Sequence, residues 1–402
     1  MLNLRPDFPI LTNNPDLVYL DSAASAQKPR AVIDAITHFY SNDYANVHRG
    51  TYGLSINSTQ KYEEAREKIA RFIDAPSSRE VIFTRSATES LNLLAAILGE
   101  NLKPQDEIVL SVLEHHANLI PWQQVAKKTN AQIKFAKISS SGGIDLENLS
   151  GLITENTKVV SLSHCSNVLG SITPLLSVRE ILKRKGSAAF LIADASQSVP
   201  HFPVSVANLG VDFLVFSGHK LYGPSGIGIL WGKEKWLRQL PPYQTGGDMI
   251  RSVSLESATW NDLPWKFEAG TPNIEGAIAL GAAVDYLEST DLEFIKQHTQ
   301  KLTQIAYAQL SNLPEVTILG NPDSCSGIMS FCVDGMHPHD IAGILNEHQI
   351  CIRAGFHCAA PLHAALGINA SNRLSVGIYN TPDDIQRFII ALKQAIADFS
   401  HV

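Results

Sequence analysis

The alternation of apolar and polar positions divides the chain into two textures. From about 80 to 230, short runs rich in β-branched residues alternate with stretches of helical period. EVIFT (80–84), EIVLS (107–111), QIKFA (132–136), KVVSLS (158–163), AFLIAD (189–194), DFLVF (212–216) and GIGILW (226–231) read as strands. The stretches 88–100, 118–130 and 174–186 read as helices between them. Near-continuous apolar strands alternating with helices predict an α/β fold with a mostly parallel sheet covered on both faces. SINSTQKYEEAREKIARFID (55–74) has the pattern of a charged amphipathic helix on the surface of that domain. Residues 241–272, punctuated by proline and glycine, predict irregular chain. Two long helical patterns follow, 274–289 and 291–312. Strands near 315–319 and 327–333, a helix from 339, strands at 349–353 and 373–378 and a closing helix over 382–399 complete the chain. The expected organisation is a large domain over 15–285 and a small α+β domain made of 1–14 and 286–402, with a long helix joining them.

Composition narrows this little. A chain of 402 residues, 45% hydrophobic and 18% charged, suits two domains. A net charge of -7 argues against nucleic acid or an anionic membrane as partner. No apolar stretch approaches the ~20 residues of a membrane helix, and the N-terminus lacks a signal-peptide pattern. Five cysteines without C-x-x-C spacing point to a reducing, cytoplasmic compartment and argue against a disulfide framework or a metal site.

In open α/β sheets, ligands bind beyond the carboxyl ends of the strands. Here those ends bring Thr88, His116, Asn167, Asp194 with Gln197, and the run Ser217, Gly218, His219, Lys220 to one edge. A lysine at such a mouth is a Schiff-base candidate, because desolvation favours its free amine. An aspartate closing another strand suits a protonated pyridine nitrogen, the pairing that makes pyridoxal phosphate an electron sink. Ser86, Thr88, Ser217 and His219, with the helix-start amides, suit a phosphate. Singly, each has an ordinary reading as a surface cation, a cap or a polar loop. Together they describe a site.

FSGHKLYGPSGIGILW (216–231) resembles the lysine segment of the class-V, fold-type I pyridoxal-phosphate enzymes. YLDSAASAQKP (19–29), NVHRGTYGLS (46–55), EHHANLIPW (114–122), HCSNVLG (164–170) and PWKFEAGTPN (264–273) narrow the likeness to the SufS-type, group II cysteine desulfurases, a group that includes selenocysteine lyase activity. The resemblance spans residues 4–400. It implies that Lys220 carries the cofactor, that Asp194 pairs with its ring nitrogen and that Gln197 contacts its phenolic oxygen. It further implies that His116 stacks on the ring and moves protons, and that Thr88, Ser217 and His219 hold the phosphate. Thr271 of a neighbouring subunit would add a phosphate contact, so the complete site would need a homodimer. Arg373, assisted by Asn167, would bind the substrate carboxylate, with Arg353 as a second candidate and His48 and Arg49 at the edge of the site.

In RAGFHCAAP (353–361) the resemblance assigns the sulfur-accepting thiolate to Cys358, with His357 beside it. The other four cysteines, including Cys325 in a turn, read as structural. Phe356 replaces a residue that is often polar in relatives, and would either dry the thiol's surroundings or change how an acceptor docks. Ala195 replaces a common glycine and would tighten packing behind the ring. The short cysteine loop implies a dedicated acceptor protein of SufE or zinc-bearing SufU type, the latter meeting a zinc ligand at His339. The expected activity is conversion of L-cysteine to L-alanine with a persulfide on Cys358, feeding iron–sulfur cluster assembly. The alternatives are selenocysteine lyase as the main activity and a non-catalytic sulfur-binding partner.

Overall fold

The computed structural model describes residues 3–321 and 326–399, so Cys325 lies outside the described residues. Its core is a seven-stranded sheet: β1 (Val81–Thr84), β2 (Glu107–Ser111), β3 (Gln132–Ala136), β4 (Thr157–Ser163), β5 (Phe190–Asp194), β6 (Phe213–Ser217) and β7 (Gly228–Gly232). The spatial order is β1-β7-β6-β5-β4-β2-β3, with β7 antiparallel to both neighbours and the remaining pairs parallel. Side chains of β1, β2, β6 and β7 are buried throughout, as strands covered on both faces require. Helix Ala87–Gly99 lies against β6 and β7, with its apolar residues buried against Trp122 and Phe213.

A second sheet is antiparallel and contains β8 (Val316–Leu319), β9 (Ile328–Val333), β10 (Arg353–Gly355) and β11 (Ser371–Ser375), in the order β8-β9-β11-β10. Helices Leu292–Leu310, Pro338–Glu347 and Pro382–Phe399 supply its apolar cover. The first of these directly follows Ile274–Thr290, the helix that packs on the large sheet's side against Gly53–Phe72.

Three local expectations are revised. Helix Gly53–Phe72 is not a mere surface helix. Its Arg66 is 1% exposed and bonds Glu268 at 2.6 and 2.9 Å, while Glu268 also accepts from Phe83 N–H and Tyr62 Oη. A buried ion pair between residues 202 apart leaves no trace in helical periodicity. Within 241–272, Ile250–Val253 and Ala258–Trp260 form an antiparallel hairpin whose tip, Leu255, is fully exposed, so no burial pattern announces it. The single strand expected at 349–353 is two: Ile350–Cys351 pairs in parallel with Val18–Tyr19, and Arg353–Gly355 then joins β11.

The N-terminal segment links the two sheets. Val18 and Leu20 lie in the core of the second sheet, whereas Phe8 and Leu11 pack in the core of the first. Past them, Ala23 N–H donates to Ser375 Oγ, Gln197 Nε2 donates to Ala23 O, and Ala26 N–H donates to His219 O at 3.1 Å. YLDSAASAQKP thus runs from β11 to the turn that carries Lys220.

Among the described residues, no helix is long and apolar enough to cross a membrane.

Candidate active site

At the carboxyl edge of the large sheet a cavity of about 180 Å³ is lined by the ends of β1, β4, β5 and β6 and closed by β10, β11 and the cysteine loop. Lys220 ends the single turn Gly218–Lys220 directly after β6. Burial lowers its ammonium below the ordinary lysine range. Arg373 and Arg353 push the same way, against Asp194 and Cys358. Asp194, the last residue of β5, is buried, and its Oδ1 accepts from Ser196 N–H at 3.0 Å. Ser217 Oγ accepts from Ala87 N–H at 2.8 Å, joining the end of β6 to the first turn of helix Ala87–Gly99. That approach is tight: a Cβ at Gly228 would lie 2.5 Å from Ser86 backbone atoms. Ser86 caps the helix by accepting from Glu89 N–H, and the buried Ala87 and exposed Thr88 that follow it border the cavity.

Of the expected residues, Thr88, Asn167, Asp194, Gln197, Ser217, His219, Lys220, Arg353, Arg373 and Cys358 line this one cavity. Four do not. His115 rather than His116 faces it; His116 lies toward the cysteine loop and a neighbouring apolar cleft. Both histidines follow β2, and strand spacing cannot tell them apart because neither belongs to a strand. His48 and Arg49 sit together in a different cleft with Asp248 and Trp265; His48 Nε2 bonds Glu63 at 3.0 Å and Arg49 pairs with Asp248 at 2.6 Å. Thr271 lies in a third cleft with Glu89 and Tyr243, outside the Lys220 cavity of its own chain.

Burial, followed by repulsion from Lys220, lowers the His115 ring to about 4, and burial with Lys220 and Lys28 lowers His219 to about 4. Both rings are therefore neutral near pH 7. Ala195 is fully buried behind the cavity, its N–H donating to Val215 O.

The two arginines face one another across β10 and β11 as direct register partners. Arg373 is 2% exposed, donates from Nη1 to Asn167 O and pairs through Nη2 with Asp21, both at 2.9 Å. Like charges directly opposite in a sheet are unfavourable. Among the described residues, the ion pair made by these two cations is that of Arg373 with the partly exposed Asp21, so a further anion in the cavity would be favoured. Asp21 is a functional candidate the sequence reading missed, although it lies within YLDSAASAQKP.

Cys358 follows β10 by three residues. Gly355, His357 and Cys358 have φ of 119, 50 and 57°, a left-handed run that only glycine adopts freely. The turn is pinned by Asn167 Nδ2 on His357 O at 2.6 Å and by His357 Nε2 on Ser371 at 3.1 Å. Because Ser371 O can only accept, Nε2 carries the ring proton. Burial, with the nearby arginines and His363, lowers this imidazole to about 2, which leaves it a neutral strut. Phe356 is 53% exposed and packs edge-on against His363, so its ring points outward and does not enclose the thiol. His339 lies beside the loop's start: a Cβ at Gly355 would be 3.8 Å from its Nε2.

The wall fits pyridoxal phosphate. Gln197 Oε1, Asn167 Oδ1 and Arg373 Nε are buried there without hydrogen-bond partners among the described residues, and unmet polar atoms of this kind call for a polar guest. An amine, an acid, a helix N-terminus and paired guanidiniums match, in order, an aldehyde, a pyridine nitrogen, a phosphate and an amino-acid carboxylate.

Comparison with known proteins agrees. The family described as "Aminotransferase class-V" matches residues 18–388. A protein of Halalkalibacterium halodurans named probable cysteine desulfurase is 47% identical over 399 residues, covering 98% of each chain. A Synechocystis protein of the same name is 45% identical, covering 99% of this chain and 96% of its own. The apo structure of a cysteine desulfurase from Thermococcus onnurineus NA1 superposes with a TM-score of 0.94 at 39% identity, covering 98% of each chain. With the lysine, acid and helix start at one sheet edge and this likeness along nearly its whole length, the chain belongs to the class-V aminotransferase family, with relatives named cysteine desulfurase.

Proposed function

We propose that this protein is a pyridoxal-phosphate-dependent cysteine desulfurase that converts L-cysteine to L-alanine and collects the sulfur as a persulfide on Cys358. The observation that carries this reading is the meeting of Lys220, Asp194, the Arg353–Arg373 pair and Cys358 around one cavity.

When bound, the cofactor supplies an electron sink at the substrate's α-carbon. The chain's own residues do the rest. Lys220, depressed toward its free amine, would hold the cofactor and take the substrate's α-proton. Asp194 would keep the ring nitrogen protonated, with Gln197 at the phenolic oxygen. Thr88, Ser217, neutral His219 and the helix start would hold the phosphate. His115, placed in the cavity and neutral, takes the ring-facing part expected of His116. Arg373, held by Asn167 and Asp21, would grip the carboxylate, with Arg353 opposite. The Cys358 thiolate attacks the substrate sulfur: an S–S bond forms, the substrate's Cβ–S bond breaks, and its electron pair takes a proton to give alanine. The thiol proton balances the sum, so no outside oxidant is needed.

Several finer points belong to the same proposal. Thr271 lies outside its own chain's cavity, and a phosphate contact from it therefore calls for a homodimer with shared sites. The outward Phe356 and adjacent His339 favour an acceptor protein of SufE or SufU type at the cysteine loop, serving iron–sulfur assembly in the cytoplasm. The cofactor would belong to the large domain and the cysteine loop to the small one, although the chain crosses between them near residue 15: Phe8 and Leu11 pack with the large sheet, and Val18 and Leu20 with the small one.

Intact-mass measurement after adding cysteine tests the core claim. One sulfur atom is expected on the wild-type protein, with alanine released, and none on Cys358→Ala. Alanine formed at the wild-type rate without an adduct on Cys358 would overturn the mechanism. Visible cofactor absorbance that is unchanged in Lys220→Ala would overturn the assignment of Lys220.

A further inference from the structure

His116 stands outside the Lys220 cavity, yet it grips the cysteine loop twice. Its backbone N–H donates to Cys358 O at 2.7 Å, and its ring Nε2 accepts from Ala360 N–H at 3.1 Å. We propose that His116 is a positioning residue for Cys358, holding the chain on both sides of Ala359 so that the thiol stays aimed into the cavity. This rests on the reading of Cys358 as sulfur acceptor.

The loop needs such a hold. His357 and Cys358 both have left-handed φ, and non-glycine residues keep that conformation only where their surroundings impose it. Asn167 and Ser371 restrain the loop at His357, ahead of the thiol. Among the described residues, the hydrogen bonds that tie Cys358 and Ala360 to the large sheet's edge both come from His116. His116 itself is fixed by the short turn His116–Asn118, in which Leu119 N–H returns to His116 O. A backbone N–H can only donate, so Nε2 must present a lone pair and the ring proton resides on Nδ1. Glutamine, whose side-chain oxygen falls near the place of Nε2, can accept the same bond. Alanine cannot.

The test compares His116→Ala and His116→Gln as holoenzymes. In His116→Ala the rate of persulfide formation on Cys358 at saturating cysteine should fall by about tenfold or more, because small misplacements of a reacting atom are costly. KM for cysteine should stay within about twofold, since the carboxylate and cofactor contacts are untouched. Cofactor absorbance and its change on adding cysteine should match wild type, and His116→Gln should regain most of the lost rate. In cofactor-free protein, alkylation of Cys358 by iodoacetamide should change in the alanine variant and not in the glutamine one. Persulfide formation within about twofold of wild type in His116→Ala, or a glutamine variant no better than alanine, overturns the proposal. So does a rate loss that follows lowered thermal stability equally in both variants. If the wild-type protein makes neither alanine nor persulfide, the functional reading fails. The alkylation comparison then decides the hold on the loop: a change in the alanine variant alone supports it, and equal rates overturn it.

Discussion

Arg373 is a guanidinium with almost no water around it, paired with the carboxylate of Asp21. Its fork is already oriented by Asn167 O and Asp21, so the cost of ordering it is met before a substrate arrives. Arg373→Lys keeps the charge but loses the planar two-pronged geometry. KM for cysteine is expected to rise by about tenfold, more than kcat falls, in steady-state kinetics. Glu114, next to His115, makes a different residue-scale prediction. It is buried and accepts hydrogen bonds from Asn118 Nδ2 and from Ser163 N–H and Oγ, yet burial raises its carboxyl to about 7, from an ordinary 4.5. The folded protein thus holds this proton more tightly than the unfolded chain does. Its contribution to stability is full below pH 4.5 and is lost as pH rises through about 7. Urea midpoints of wild type should decline over that window, and Glu114→Gln should flatten the decline.

Element by element, buried polar contacts place the chemistry. Helix Gly53–Phe72, strand β1 and the EAGTPN segment meet at Arg66 and Glu268, whose ion pair also uses Val81 O, Phe83 N–H and the faces of Tyr62 and Phe83. Removing one partner strands the other without water. Arg66→Ala should destabilise by about 3–5 kcal/mol in chemical unfolding, because an unpaired buried charge costs more than the pair contributes. The variant should also disturb the segment that ends in Thr271, three residues beyond Glu268. At the other element boundary, Ile350–Cys351 and Arg353–Gly355 belong to different sheets. This change of partner delivers Cys358 to the mouth of the large sheet.

Across the whole molecule, the cavity is built from segments far apart in the chain: strand ends of one sheet, two strands of the other, and the 18–28 lace between them. Thr271 alone of the phosphate candidates lies elsewhere. A shared-site dimer makes a direct prediction. Lys220→Ala and Thr271→Ala proteins, unfolded and refolded as a mixture, should recover activity in mixed dimers. The Thr271→Ala subunit keeps its own Lys220 and borrows Thr271 from its partner. Activity of the mixture equal to the sum of the separate variants would mean that each chain completes its own site.

Much of this was legible in the sequence. Apolar runs located all seven strands of the large sheet to within a residue or two, since burial on both faces leaves an unbroken local signature. Lys220, Asp194, Asn167 and Thr88 could be placed at one edge because the carboxyl ends of parallel strands share it. Tertiary structure alone decided which histidine of EHHAN faces the cavity, that Arg353 and Arg373 are register partners, that Arg66 is buried and that residues 18–28 lace the sheets. Periodicity reports how a residue stands to its neighbours in sequence. These contacts join positions separated by 20 to more than 350 residues, and their geometry arises only when strands have been ordered and paired.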